Sequence, residues 1–305
     1  MSEVNTIEEG ASLAKRIAMA SVAIACVVLV IKYAAFYVTG SVALFSDAME
    51  SIVNVVAGLI ALWAISLSYK PADEDHPFGH SKAEYFSAVV EGVLIALASI
   101  LILVEAWKSF QDPKPADMPM IGLLINGGAT VINFVWATYL IRLGRRRRSP
   151  AFAADGKHLM ADVVTSLGVI VGLGIAAWTH VPVLDPLLAA FVALNILREG
   201  YAVISNSLSG LMDQAMVPEE ETRVRGVISS NADGAIEVHD LRTRVSGRMI
   251  FIEFHLVVPS DMTVGDSHVI CDRIEDALVA AFPTARIQIH VEPEEEAQVT
   301  GVPVI

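Results

Sequence analysis

The stretch "ADGKHLMADVV", residues 154–164, opens an apolar run that continues to Thr179. Wound as a helix, 161–179 is about as long as the hydrocarbon core of a bilayer is thick. The same stretch carries His158 and Asp162 four residues apart, with Asp155 just before them. Ionisable groups at membrane depth are costly, on the order of 3 kcal/mol each at a helix centre, so they stand as functional hypotheses by default. The reading of this segment therefore decides two things at once: a chain that crosses a membrane, and a place in it where chemistry is kept.

Five further runs of similar length lie on either side, at 17–38, 41–68, 86–107, 119–142 and 184–206. With 54% hydrophobic residues in 305, the composition agrees with six transmembrane helices ending near Gly210. The polar, acidic opening "MSEVNTIEEG" does not have the form of a cleaved signal peptide, so residues 1–16 form a segment ahead of the first span. Lys15, Arg16, Lys70, Lys82, Arg142 and "RRRR" at 145–148 fall on one side, against Lys108 and Lys114 on the other. The bias places both termini and the 70–83 and 143–150 loops in the cytoplasm. Cys26 and Cys271 lie in different regions, which argues against a disulfide framework or a cysteine zinc cluster. A net charge of −13 argues against nucleic acid as a partner.

The texture changes from about Leu211. "VPEEETRVRGVISS" reads as an amphipathic helix opened by proline and three glutamates. "IEVHDLRTRV" and "MIFIEFHLVV" alternate like strands around "SGR", "VGDSHVICDRIEDALVAAF" is a second helix, and "RIQIHVE" is a last strand. The fold class that follows is an all-α six-helix transmembrane bundle, 17–210, with a C-terminal cytoplasmic α+β domain of order αββαβ, 211–305.

The second span opens "SDAMESIVNVV", residues 46–56, and repeats the pattern of the fifth. Asp47, Glu50 and Asn54 match Asp155, His158 and Asp162 in spacing, and Val-Val follows in both. Repeats of this kind occur in transporters whose sites lie between halves. Residues i and i+4 share a helix face, so Glu50 with Asn54 and His158 with Asp162 form two pairs. Packed face to face they offer two carboxylates, an amide oxygen and an imidazole, a ligand set for a divalent first-row metal. A polar network that only glues the bundle is the plainer alternative. Asp47 and Asp155, a turn earlier, are read as outer-shell or helix-start residues. Metal binding displaces protons from such ligands, so a site facing alternate sides could exchange metal for protons.

The loop "PADEDHPFGHSKAE", 71–84, offers Asp73, His76 and His80, a weaker metal signal on its own. The soluble domain adds His239, His255, His268 and His290, with Glu292 two residues beyond the last. Individually each fits an ordinary core or surface histidine. Together they suggest a second, regulatory metal site, or ligands that pair across a dimer. His180 has no such company.

These residues, with "SVALFSDAMES", "YKPADEDHPFGHSKAE", "LMDQA", "EVHDLRTRVSG", "IEFHL" and "IQIHVEP", closely resemble the cation diffusion facilitator family of metal/proton antiporters, in its bacterial iron- and zinc-efflux branch. The resemblance covers nearly the whole chain. It implies a homodimer in a lipid bilayer and a metallochaperone-like cytoplasmic domain. It implies a transport site at Glu50, Asn54, His158 and Asp162, and a loop site at Asp73, His76 and His80. A cytoplasmic site would use His239, His255, His290 and Glu292 with His268 nearby, and Lys82 and Asp213 would form a salt bridge where protomers meet. Zinc members of the family usually carry Asp or His at the Glu50 position and Asp at the Asn54 position. The glutamate and the neutral amide here make the site richer in oxygen, which suits Mn²⁺ or Fe²⁺ more than Zn²⁺.

The sequence thus points to a plasma-membrane efflux antiporter for Zn²⁺, Mn²⁺ or Fe²⁺, driven by protons, with no enzymatic activity and no prosthetic group. A metal sensor that binds without transporting is the main rival. An intramembrane metalloenzyme would need a pattern such as "HExxH", absent here. A plain channel is disfavoured because charged ligands hold an ion too tightly for fast conduction.

Overall fold

The computed structural model describes residues 2–39, 42–111, 120–179, 183–298 and 302–303, and the chain divides into two compact units, Met1–Leu208 and Ser209–Ile305. The first is built from helices α1 (Ser2–Thr39), α2 (Val42–Ser68), α3 (Ala83–Gln111), α4 (Met120–Arg147), α5 (Pro150–Thr179) and α6 (Leu184–Leu211). Among the described residues, four segments are long and apolar enough to cross a membrane: Gly10–Val38, Ser51–Ser68, Ala83–Gln111 and Leu124–Arg147.

These helices are apolar on the outside and small or polar on the inside. Trp63, Leu101, Leu124 and Phe191 are exposed, whereas Ala57, Ala61, Ala64, Ala137, Ser51 and Ser99 are buried. That distribution suits lipid, where apolar surface gains nothing by leaving the solvent and helices associate through close approach of small residues. Gly144 and Gly156 bring α4 and α5 together. A Cβ on Gly144 would lie 2.6 Å from the backbone N of Ala153, and one on Gly156 would lie 2.8 Å from that of Ile141.

The expected loop at 143–150 is much shorter. Helix α4 runs on through Arg147, and only Arg148, at φ 50°, and Ser149 separate it from α5. Arginine is a good helix former, and hydropathy marks the end of the apolar layer rather than the end of the helix. Ser149 accepts the Phe152 N–H at 3.3 Å, and so caps α5. Its hydroxyl also donates to one oxygen of the buried Glu84, while Ser68 donates to the other at 2.8 Å. A single carboxylate thereby fastens the end of α2 and the start of α5 to the start of α3.

The second unit contains α7 (Pro218–Ser229), β1 (Glu237–Ser246), β2 (Met249–Val258), α8 (Val264–Ala281), β3 (Ala285–Pro293) and a short β4 (Val302–Pro303). The helix–strand–strand–helix–strand order matches the sequence reading; β4 is additional. The sheet order is β3-β2-β1-β4, with β1 antiparallel to β2 and β4, and β2 parallel to β3. Val224 and Ile228 of α7 and Ile274 and Leu278 of α8 pack onto Ile250, Ile252, Phe254 and Leu256 of β2. Pro218 starts α7, and Thr263 caps α8 by accepting the Asp266 N–H. Between His239 and Arg242 the β1–β2 register shifts, and Asp240 there takes φ 49°.

Candidate functional site

In the first unit, Asn54 of α2 stands between His158 and Asp162 of α5. Its Oδ1 lies 2.7 Å from His158 Nε2, and its Nδ2 donates to Asp162 Oδ2. All three are buried, at 4%, 3% and 5% exposure. With Oδ1 as acceptor, His158 Nε2 carries the proton, and Nδ1 is left buried without a hydrogen-bond partner among the described residues. A buried acceptor without a partner is a rarity in native interiors and marks a place for an ion or water. Glu50 and Asp47 lie on the backbone of α2, but their side chains are outside the described residues.

Asp155 is buried too, but its described partner is elsewhere. Ser21 of α1 donates to it at 2.5 Å and in turn accepts the Trp136 indole N–H of α4 at 3.0 Å. Neither partner was legible from spacing. Glu91 of α3 also went unread: it is fully buried, takes a hydrogen bond from Ser87 at 3.2 Å, and leaves Oε2 without a partner among the described residues.

The 71–84 loop does gather its three residues. Asp73 Oδ1 lies 3.2 Å from His76 Nδ1, Asp73 Oδ2 lies 3.4 Å from His80 Nε2, and the two rings are 4.4 Å apart. The His76 backbone N–H, bonded to the Asp73 carboxylate at 2.7 Å, holds that carboxyl below the usual range, and both imidazoles add to the effect. Gly79 supplies the φ of 83° that turns the chain back and lets its N–H reach the His76 carbonyl at 2.9 Å. His80 Nδ1 is buried and has no hydrogen-bond partner among the described residues.

In the second unit the sheet register lines up three histidines. His239 pairs with His255 across β1–β2, and His255 with His290 across β2–β3. Ring centroids are 5.1 and 4.9 Å apart, close to the spacing of neighbouring strands. Glu292 closes the group: its Oε1 is 2.9 Å from His255 Nδ1 and 3.6 Å from His290 Nε2, and its Oε2 is 3.2 Å from His239 Nε2. That last contact is within ion-pair distance but outside hydrogen-bond geometry, so Oε2 has no hydrogen-bond donor among the described residues. His239, His255 and Glu292 each present a ligand atom within 4.8 Å of the others. His268 is not among them. It stands exposed on α8, its Nε2 3.6 Å from Asp272. Missed in the sequence reading was Glu237, whose Oε1 is 3.0 Å from His239 Nδ1. The alternation in "EVH" could have found it, since residues two apart share a strand face.

Of the expected Lys82–Asp213 pair, Lys82 belongs to the first unit and Asp213 to the second, where its carboxylate lies 3.2 Å from Arg244.

Residues 18–212 match the cation efflux transmembrane domain, and 216–294 match the cation efflux protein cytoplasmic domain. This chain belongs to the cation efflux, or cation diffusion facilitator, family. It is 39% identical over 286 residues to the uncharacterized transporter sll1263 of Synechocystis sp., covering 94% of this chain and 92% of that protein. It is 30% identical over 279 residues to the cation-efflux pump FieF of Yersinia pestis, with 92% of each covered. A solved chain of CzrB in its zinc form is 47% identical over 28% of this chain and 98% of that one, at a TM-score of 0.27. The protein is accordingly a multi-pass membrane cation efflux transporter of the diffusion-facilitator type, and not an enzyme.

Proposed function

We propose that this protein exports a divalent metal ion, Zn²⁺, Mn²⁺ or Fe²⁺, across the plasma membrane in exchange for protons, with the metal held between α2 and α5. The observation that carries this reading is the buried Asn54–His158–Asp162 set with its unpartnered His158 Nδ1. Glu50, one turn before Asn54 on α2, is the fourth ligand. The amide at 54 both accepts from the histidine and donates to the aspartate, which a carboxylate could not do. The metal-free site is thereby held together without crowding acids. An ion entering from the cytoplasm replaces those hydrogen bonds with coordination bonds and displaces the ligands' protons back to the cytoplasm, and protons from the far side displace the metal there.

The bundle has six spans, α1–α6, with both termini and the basic α4–α5 corner in the cytoplasm. Asp73, His76 and His80 form an entry site, and His239, His255, His290 and Glu292 a regulatory one. The protein works as a homodimer, with Lys82 of one protomer facing Asp213 of the other.

The test is transport by the purified protein in liposomes under an imposed pH gradient, comparing Zn²⁺, Mn²⁺ and Fe²⁺. Asp162→Ala is expected to abolish movement of every metal. Metal binding without gradient-dependent transport of any ion would instead establish a sensor.

A further inference from the structure

Glu237, at the start of β1, is buried and has two dependants on one oxygen. Oε1 is 3.0 Å from His239 Nδ1, and it also accepts the backbone N–H of Gln298 at 2.6 Å. Gln298 belongs to the segment that follows β3. One 3-10 turn, Glu294–Glu296, redirects the chain there, and Ser260 donates to Glu295 at 2.8 Å. Beyond it, Val302 and Pro303 pair with Val238 and Glu237 as β4. The C-terminal tail thus returns to the outer edge of β1, beside the histidine row.

His239 therefore sits between two carboxylates. Nε2 faces Glu292, inside the ligand cluster, and Nδ1 faces Glu237, outside it. A donated bond from Nδ1 leaves Nε2 with the lone pair a cation needs. Withdrawal of electron density by that cation makes Nδ1–H a better donor, the usual relation of a metal-bound imidazole to a supporting carboxylate. A cation also relieves the repulsion between Glu237 and Glu292, which flank one ring.

We infer that Glu237 is a positioning residue that orients His239 for cation binding and links occupancy of the cluster to docking of the C-terminal tail. This rests on reading the cluster as a cation site. Thermodynamic linkage makes the effect reciprocal: whatever the bound cation adds to tail docking, the docked tail adds to cation affinity.

The experiment uses the full chain in detergent micelles with Zn²⁺ as the probe. Hydrogen exchange of the 297–305 peptide and Zn²⁺ competition against a chromophoric chelator are read together. Zn²⁺ is expected to slow exchange of the tail in the wild type. Glu237→Ala should remove that protection and weaken the cluster about 10- to 100-fold. Glu237→Gln, which keeps an acceptor oxygen, should recover part of both. A chain ending at Glu296 leaves β1 intact and keeps the test open if Glu237→Ala does not fold; its affinity should fall several-fold. His255→Ala separates the two levels of the argument. If it leaves Zn²⁺ binding unchanged, the cluster is no cation site and both readings fall. If it lowers Zn²⁺ binding, but tail exchange ignores Zn²⁺ or Glu237→Ala binds as tightly as the wild type, the linkage alone is refuted.

Discussion

Replacing Gly156 with alanine adds one methyl group where α4 and α5 meet backbone to backbone. Its Cβ would stand 2.8 Å from Ile141 N and 3.0 Å from the Ala137 carbonyl oxygen. An ordinary carbon contact begins near 3.5 Å, so the helices must part by roughly 0.7 Å. Neither neighbouring atom can swing away, because both are main chain. Overpacking of this kind costs about 3 kcal/mol at the upper end of its range. Alanine's better helix propensity returns about 1 kcal/mol, leaving a net loss of roughly 2 kcal/mol. The internal standard is Gly127→Ala, on the neighbouring α4, where an added Cβ meets no described atom within 4 Å; it should be neutral or slightly stabilising. Thermal unfolding of both variants in the same detergent reads the difference. Gly156 is also two residues from His158, so its 2.7 Å contact with Asn54 is strained by the same displacement. Weaker metal binding at the proposed transport site should accompany the lower melting temperature. If Gly156→Ala and Gly127→Ala melt together, the close approach of α4 and α5 is wrong.

Gly226→Ala, in the last turn of α7, where an added Cβ meets no described atom within 4 Å, should stabilise the second unit by about 0.5–1 kcal/mol, seen as a higher urea midpoint for that unit. Leu278→Ala, fully buried beneath the sheet, should cost about 2–5 kcal/mol in the same measurement; a loss below about 1 kcal/mol would contradict the core described. The Asp73 carboxyl is held low by the folded loop, so its contribution to loop order is complete above the ordinary carboxylate pKa and disappears as pH falls through the lower folded value. The His76 amide resonance should therefore titrate with a midpoint below about 3.9; a midpoint at or above that value would sink the assignment, and Asp73→Asn should remove the transition.

The membrane character was legible because an apolar run of bilayer length needs no tertiary context. Its ends were less so. Arg145–Arg147 extend α4 and Ser2–Arg16 extend α1 past the apolar layer, since charged residues with good helix propensity continue a helix into water. The pairing of His158 with Asp162 on one face followed from helical spacing. That Asn54 would bridge them depended on the packing of α2 against α5, which local pattern does not encode. The histidine row is a matter of strand register. The shift at Asp240 decides that His239 faces His255, and no alternation rule locates such a shift. The two-residue β4 is too short to carry a signal of its own; the sheet edge, not the tail sequence, makes it a strand.

The Glu84 junction is a common anchor about which α2 and α5 can turn. Ser68 lies 14 residues from Asn54, and Ser149 nine from His158, or about 21 and 14 Å along their axes at 1.5 Å per residue. Pivoting about that common anchor by about 5° carries Asn54 through roughly 1.8 Å and His158 through roughly 1.2 Å. The two levers are unequal. A rotation of that size would separate the Asn54 amide from the His158 imidazole while α2 and α5 stay joined at Glu84.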